Sequence, residues 1–459
     1  MRRENNLNDI SNRNLYRILA VVALPIALQS LIASSLNLVD NLMVGSLGEA
    51  ELNAVGVSVQ IYFIHWMVMF GFTSGSSTFM AQFFGARDLT NIRRTTGFAV
   101  TVTMSVSILF FVAGMFFPHY VLRIFTRFPE IIALGTGYVK LASGTFLFVA
   151  ITVPFTYALR ATQQTRLPLY ISGVAFATNT FLNYMFIFGN FGAPKLGVTG
   201  AALATLISRF IEMTLLLYVV FGRGNMISGR LKEFFAFDRV FAVKIVKNAI
   251  PTTINETMWG LGTALYIAAF ARIGVTEGAA VQACNTINNL FMMAAFSVGD
   301  ATLILVGQKL GEGKLEFGYQ LAKKLIKIGL AIGVIAGAAL ILFGKPLLGL
   351  FDFTERGAHF AFLILVVYGC TMWLGLYNAI NITGVLRCGG DTRFAMLSEV
   401  LAVWCIGVPV AFLTALVLHW PIYFAVLAVK LEDVVKGIVL TKRFLSKKWV
   451  KNMIKDLEH

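Results

Sequence analysis

The chain has 459 residues, of which 57% are hydrophobic and only 13% are charged, with forty phenylalanines. Soluble domains carry about 25% charged residues, so this composition excludes an ordinary soluble enzyme and indicates a protein of the lipid bilayer. The net charge of +15 is typical of nucleic-acid binding as well as of membrane topology, and the placement of the charges decides between the two.

Apolar segments recur along the whole chain, each near the roughly 20 residues that cross the hydrocarbon core of a bilayer. We predict twelve membrane-spanning helices, at 16–44, 53–83, 95–117, 130–158, 168–189, 198–221, 246–271, 277–307, 325–350, 358–386, 395–418 and 421–440. The first fourteen residues are polar, and the first apolar segment is too long for the core of a signal peptide. No cleaved signal is therefore predicted.

The 38 Lys and Arg residues are distributed unevenly between the two ends of these helices. We count 28 at the termini and in alternate loops, 6 in the opposite loops and 4 inside predicted helices. Such asymmetry identifies the basic side as cytoplasmic, so we expect both termini there, in a multi-pass protein of the plasma membrane. The charge reflects topology, and the expected partner is the lipid bilayer rather than a nucleic acid.

The two halves of the chain align with an offset of 226 residues. The matched positions include Pro25 with Pro251, Gly48 with Gly274, Gln82 with Gln308 and Gly85 with Gly311. Six predicted helices lie on either side of one long basic connection, so both copies enter the membrane from the same side as a parallel repeat. We predict an all-α membrane protein of two pseudo-symmetric six-helix bundles.

This division defines five segments of the chain. They are a cytoplasmic N-terminus at 1–15, an N-lobe at 16–222, a cytoplasmic linker at 223–244, a C-lobe at 245–441 and a basic cytoplasmic tail at 442–459. An internal repeat of apolar helices is typical of transporters. The sequence has no Walker loop or dinucleotide fingerprint, and its His and Cys residues lack metal-site spacing. We predict no enzymatic activity and no cofactor, so that transport runs on an ion gradient.

Acidic residues inside membrane helices cost several kcal/mol unless they face a cavity or a partner, so they are candidate functional residues. Asp40 lies toward the outer end of the first predicted helix, and no cation lies within one turn of it. We interpret Asp40 as an ion-binding acid. The alternative is a carboxylate that water reaches at the membrane surface.

Glu256 and Asp300 lie at similar depths in successive predicted helices, since each is nine residues from a cytoplasmic lysine. At 1.5 Å per residue this separation is about 13 Å. We predict a second polar site at this pair, where two carboxylates share a proton or a cation. The alternative is two separate hydrogen-bonded acids.

Other charges inside predicted helices have the spacing of pairs on one helix face. These pairs are Arg209 with Glu212, Lys430 with Asp433, and Glu432 with Lys436. We predict structural ion pairs, with a role in substrate binding or gating as the alternative. Glu399 follows Arg393 by six residues, and we expect its side chain to extend to the inner membrane surface.

Several motifs of the sequence resemble those of bacterial members of the multidrug and toxic compound extrusion (MATE) family. The resemblance covers nearly the whole chain. They are Val39–Gly48, Gly75–Thr78, Ala81–Ala86, Asn183–Gly189, Pro194–Thr205, Val306–Gly311 and Gly384–Thr392. The resemblance implies two six-helix bundles around a V-shaped central cleft. It also implies export of organic cations in exchange for H⁺ or Na⁺.

The resemblance assigns roles to several polar residues. Asp40 matches the first-helix acid that binds the coupling ion, and Asn179 and Asn183 match a polar pair on the fifth helix beside it. We add Asn37, one turn before Asp40, as a further oxygen ligand, and we take Pro25 as a hinge of the first helix.

Two departures from the family pattern leave the coupling ion open. Asn183 stands where many members have Asp, and the tenth helix offers Asn378 and Asn381 where some sodium-coupled members have an acid. Glu256 is similarly placed to a seventh-helix acid that another branch uses. We favour H⁺ over Na⁺, with no metal site beyond Na⁺ at Asp40.

These inferences predict a monomeric secondary antiporter that exports amphipathic cationic small molecules from the cytoplasm by alternating access. The first alternative is a related flippase for lipid-linked oligosaccharides. The second is a membrane receptor or scaffold without transport activity, against which the buried acids and the two-lobe repeat argue.

Overall fold

The structure, a computed structural model, describes residues 12–349, 351 and 353–457, and these contain helices and no strand. The helices are α1 (Asn12–Gly45), α2 (Glu49–Gly85), α3 (Leu89–Phe116), α4 (Pro118–Phe125), α5 (Pro129–Ala161), α6 (Arg166–Phe188), α7 (Val198–Leu217), α8 (Leu231–Phe234), α9 (Arg239–Ala271), α10 (Val275–Gly311), α11 (Leu315–Leu348), α12 (Glu355–Ala379), α13 (Thr392–Ala402), α14 (Val408–Phe412), α15 (Ile422–Val429) and α16 (Leu431–Leu445). The all-α prediction is confirmed.

Ten helical stretches of the described residues are long and apolar enough to cross a membrane. They are Leu15–Gly45, Glu49–Gly85, Leu89–Phe116, Pro129–Ala161, Arg166–Phe188, Val198–Gly222, Thr276–Gly311, Leu315–Leu348, Glu355–Leu386 and Thr392–Val417. The other two predicted spans are helical as well. The span at 246–271 lies within α9, and the span at 421–440 comprises α15 and α16 with an interruption at Lys430.

The interruption at Lys430 is a short turn of 3₁₀ type. The amide of Lys430 donates to the carbonyl of Leu427, and the amide of Asp433 donates to the carbonyl of Lys430, each at 3.0 Å. Bonds to the third residue tighten the backbone and separate one helix from the next. The sequence predicts one continuous helix here because the apolar residues continue across Lys430, and apolar content alone does not reveal a change in the backbone hydrogen bonds.

The chain divides into two compact units. The C-unit contains the residues up to Ala27, Ala81–Arg87 and Lys247–His459, and the N-unit contains Leu28–Met80 and Asp88–Val246. Two helices therefore contribute residues to both units. Helix α1 belongs to the C-unit up to Ala27 and to the N-unit afterwards, and α2 belongs to the N-unit up to Met80 and to the C-unit afterwards.

Each unit has its own apolar core. The N-unit core packs side chains of α1, α2, α5, α6 and α7, among them Val44, Val55 and Ile187. The largest C-unit core joins the start of α1, through Leu15 and Ile26, to α10, α11, α12 and the residues after α16. Burial of these side chains gives each unit its cohesion, while lipid covers the apolar residues left exposed.

Inside the C-unit, α2 and α10 end at glycines that the sequence repeat relates to each other. A Cβ atom added to Gly85 would overlap the carbonyl oxygen of Gln308, and one added to Gly311 would overlap that of Gln82. The two helix ends therefore cross in direct backbone contact, with glycine required on both sides. The predicted offset of the two halves relates Gly85 to Gly311 and Gln82 to Gln308, so the contact is made by corresponding residues of the repeat.

The residues that follow α16, which we call the C-terminal cap (446–457), pack onto the C-unit. Trp449 is fully buried in it. The side chain of Gln82 donates to the carbonyl of Cys388 at 2.7 Å and accepts a hydrogen bond from the amide of Met453 at 2.6 Å. The cap thus holds the end of α2 against the end of the π-helical turn that follows α12.

Candidate functional site

Asp40 lies on α1 in the N-unit, where its partly buried carboxylate accepts a hydrogen bond from Nδ2 of Asn183. Asn183 lies on α6 and is fully buried. The same amide donates to Oδ1 of Asn179, one turn earlier on α6, at 2.9 Å. The structure therefore brings together three of the residues assigned to the ion site, while their role in binding an ion stays a prediction.

Hydroxyl groups of α7 complete this hydrogen-bonded chain. Nδ2 of Asn179 donates to Oγ1 of Thr205 at 3.2 Å and lies 3.5 Å from Oγ of Ser208. Oδ1 of Asn183 is buried and has no hydrogen-bond partner among the described residues. An unsatisfied buried amide oxygen is costly, and beside a carboxylate it is an acceptor for a cation or a water molecule.

A buried ion pair lies next to this chain on α7. Nη1 of Arg209 is 2.6 Å from Oε2 of Glu212, as the i,i+3 spacing predicts. The other carboxylate oxygen of Glu212 accepts a hydrogen bond from Ser172 on α6 at 3.0 Å. The positive charge of Arg209 also acts on Asp40, which the sequence analysis missed because Arg209 follows Asp40 by 169 positions.

Asn37, which was assigned to the ion site, and Pro25, which was assigned as a hinge, are not part of this hydrogen-bonded chain. The side chain of Asn37 is exposed on α1 and forms no hydrogen bond with any described residue, and its role as an ion ligand stays a prediction. Pro25 lies inside α1, which is continuous through it, and its role as a hinge stays a prediction.

In the C-unit, Glu256 pairs with a cation that the sequence analysis assigned to a loop. Nη2 of Arg387 forms an ion pair with Oε1 of Glu256, and Arg387 is only 1% exposed. Arg387 lies one residue beyond the predicted span at 358–386 and was counted with the loop residues, but its side chain extends into the protein. Asp300 lies partly buried on α10, and the pairing of Glu256 with Asp300 stays a prediction.

The predicted ion pairs of α16 are confirmed as one buried group of charges. Nζ of Lys436 lies 3.0 Å from Asp433 and 3.4 Å from Glu432, and Lys430 lies 3.3 Å from Asp433. The hydroxyl of Tyr266, on α9, donates to Glu432. Every charge in this group has a partner of opposite sign, so we interpret the group as structural. Through Tyr266 it joins α9 to α16.

The amides of the tenth predicted span lie beside this group. Nδ2 of Asn378 donates to the backbone carbonyl of Asp433 at 2.8 Å. The side-chain oxygens of Asn378 and Asn381 are buried without a hydrogen-bond partner among the described residues. An acid of α16, Asp433, thus lies with its Oδ1 3.4 Å from Nδ2 of Asn378, a contact that only the fold reveals.

Glu399 departs from its expected position. It lies on α13, is only 9% exposed and accepts a hydrogen bond from Nδ2 of Asn255 at 2.7 Å. The expectation that its side chain reaches the membrane surface is wrong, because Glu399 faces α9 rather than the lipid.

Comparisons with known proteins agree with this architecture. The MatE family model matches the chain twice, at residues 25–185 and 249–413. The probable multidrug resistance protein YoeA of Bacillus subtilis (strain 168) is 26% identical over 411 residues, which are 88% of this chain and 87% of YoeA. The probable multidrug resistance protein NorM of Thermotoga maritima is 25% identical over 440 residues, which are 94% of this chain and 93% of that NorM.

Solved structures show the same fold. A MATE structure in the straight conformation has a TM-score of 0.86 at 17% identity and covers 95% of this chain and 97% of its own. A MOP superfamily transporter from Pyrococcus furiosus, described with a binding pocket of reversed polarity, has a TM-score of 0.85 at the same identity and coverage. At this identity the likeness concerns the fold alone.

Proposed function

The chain belongs to the MatE family, and on that premise we propose that it is a secondary antiporter that exports amphipathic organic cations in exchange for protons. Relatives along almost its whole length are named multidrug resistance proteins. The apolar helices make it a multi-pass membrane transporter, and we propose that it resides in the plasma membrane as a monomer.

The observation that carries this proposal is the contact of Asp40 with a neutral amide. Asn183 donates to the carboxylate, and the nearby Arg209 is already paired with Glu212. A partly buried carboxylate without its own cation changes charge when it binds or releases an ion. Asp40 would load the ion from outside, and alternating access would carry it inward while a cationic drug leaves.

Protons fit this arrangement better than sodium ions. A proton needs one carboxylate, whereas sodium needs several oxygen ligands at once. The amide of Asn183 directs its N–H toward Asp40, so a sodium site would require that amide to turn. Asn37, the fourth oxygen donor of a sodium set, is exposed and has no side-chain hydrogen bond to Asp40.

The coupling ion is tested in proteoliposomes loaded with a fluorescent cationic dye. We expect an imposed pH gradient alone to drive dye transport and an imposed sodium gradient alone to leave the dye in place. Liposomes without protein and liposomes with both gradients collapsed are the controls. Transport driven by sodium and indifferent to pH would contradict the proton assignment, and no transport under any gradient would contradict the antiporter.

The proposed topology is tested with single cysteines on a variant without Cys284, Cys370, Cys388 and Cys405. Arg230 lies in the 223–244 linker and Lys195 between α6 and α7, and both are exposed. Because basic residues accumulate on the cytoplasmic side, Arg230→Cys should react with an impermeant maleimide only after permeabilisation of cells. Lys195→Cys should react in intact cells. Reaction of both variants from one side would contradict the predicted orientation.

A further inference from the structure

Six acidic residues of the described chain are buried, and one of them differs from the rest. Five have a Lys or Arg nitrogen within ion-pair distance: Glu212, Glu256, Asp391, Glu432 and Asp433. Glu399 has instead a single neutral partner among the described residues, the amide of Asn255. The charged form of a buried carboxylate without a paired cation has a high free energy. The surroundings of Glu399 therefore favour its uncharged form.

The position of Glu399 is fixed by a series of contacts between α9 and the helix that begins with α13. Oγ1 of Thr392 lies 3.1 Å from Oδ1 of Asn248, and Nε1 of Trp404 donates to the carbonyl of Met258 at 3.2 Å. The bond between Glu399 and Asn255 lies between these two contacts, seven residues after Thr392 and Asn248 on their helices. Seven residues make two helical turns, so the carboxylate is held on the shared face of the two helices.

The amide of Asn255 offers a second, unused polar group at this place. Asn255 is 3% exposed, and its Oδ1 is buried without a hydrogen-bond partner among the described residues. An amide presents both donors and an acceptor. Its N–H group fits the ionised carboxylate, and its oxygen, after a turn about the Cβ–Cγ bond, fits the O–H group of the protonated carboxyl.

The charged groups around Glu399 are engaged elsewhere. Those whose charges act on it are Lys436 on α16, Glu256 on α9 and Arg387. Lys436 is bonded to the two acids of α16, and Arg387 to Glu256. None of these cations therefore replaces a proton at Glu399, although each influences how strongly the proton is held.

We propose that Glu399 and Asn255 form a proton-binding site in the C-unit, distinct from Asp40. In the loaded state the proton is covalently bound to a carboxylate oxygen of Glu399, and the resulting O–H donates to Oδ1 of Asn255. On release the proton leaves to water, and the N–H of Asn255 again donates to the carboxylate. The existence of the site is independent of the proposed function, and only a role of this proton in transport rests on it.

Infrared difference spectroscopy of the full-length protein in lipid tests the site without any transported compound. The carbonyl stretch of protonated carboxyl groups should grow as the pH is lowered, and Glu399→Gln should lack one component of that band, while the component due to Asp40 remains. Glutamine keeps the shape and accepts the hydrogen bond of Asn255, so the fold should be retained. Thr392→Val, which removes the neighbouring contact on the same helix pair, is the matched control and should keep the band.

A second variant, Asn255→Leu, distinguishes a proton site from a packing role. Loss of the N–H donor removes a bond that favours the ionised form, so the band assigned to Glu399 should persist to higher pH than in the unchanged protein. A pH dependence identical in Asn255→Leu and the unchanged protein would overturn the proposal. So would a carboxyl band of the same size in Glu399→Gln and the unchanged protein, or a Glu399 component that sodium abolishes at constant pH.

Failure of the proposed function leaves a different result. A protein that moves no dye under any ion gradient, yet shows the titratable band and its loss in Glu399→Gln, keeps the proton site and loses the antiporter. A protein that transports dye but shows no such band loses the site alone.

Discussion

Replacement of Asp40 by Asn is expected to abolish ion-driven drug export while the protein remains folded and inserted in the membrane. Asparagine has nearly the same shape, and its side-chain oxygen still accepts the hydrogen bond that Asn183 donates to Asp40. What it lacks is the ability to change charge when an ion binds. In proteoliposomes with a pH gradient, dye transport by Asp40→Asn should fall to the level of empty liposomes.

The matched control for this variant is Glu130→Gln, which neutralises an exposed carboxylate at the start of α5 in the same unit. This change should leave transport near that of the unchanged protein, because water already compensates the charge. Size-exclusion profiles and thermal stability of the two variants should match. Full transport by Asp40→Asn would remove Asp40 from the coupling mechanism.

Replacement of Gly85 or Gly311 by Ala is expected to cause the largest loss of stability among single substitutions of the helix ends. The added methyl group would overlap a backbone carbonyl of the opposite helix. Because a helical backbone moves only as a whole helix, the overlap cannot be relieved by a local shift. Overpacking of this kind costs about 1–3 kcal/mol and sometimes more. The thermal unfolding midpoint of the purified protein, followed in detergent, should fall clearly for both variants.

Gly56 provides the internal control, since it lies in α2 together with Gly85 and a Cβ atom there would meet nothing within 4 Å. Alanine is favoured over glycine inside a helix by about 0.5–1 kcal/mol, so Gly56→Ala should be neutral or slightly stabilising. Equal midpoints for Gly85→Ala and Gly56→Ala would contradict the backbone crossing.

The fold could be predicted from the sequence because its signals are local or periodic. Apolar length identifies the membrane helices, and the repeat identifies the two halves without any knowledge of packing. The contact between Gly85 and Gly311 is one place where the structure reproduces the repeat atom by atom. Pairs three or four residues apart, such as Arg209 with Glu212, were also predictable, since helix geometry alone brings them together.

The candidate sites were less predictable, because they depend on how distant helices rotate against each other. Arg387 reaches Glu256 across 131 positions, and Asn255 reaches Glu399 across 144. A single sequence gives the depth of such residues along a helix, but not the direction of their side chains. For the same reason the sequence alone does not show that Asn37, one turn from Asp40, has an exposed side chain outside the hydrogen-bonded chain of Asp40, Asn183 and Asn179.

The C-terminal cap has a consequence for the biogenesis of the protein. Gln82 bonds to the carbonyl of Lys451 at 3.1 Å and to the amide of Met453, which follow it by 369 and 371 residues. A ribosome adds roughly 5–20 residues per second, so these partners emerge about 20–75 seconds after Gln82. Cys388, whose carbonyl also accepts from Gln82, follows it by 306 residues, so the side chain of Gln82 is only partly bonded until the C-terminal cap has been made. Ribosomal stalling near the end of the message would therefore leave a full set of inserted helices that have not yet closed around Gln82.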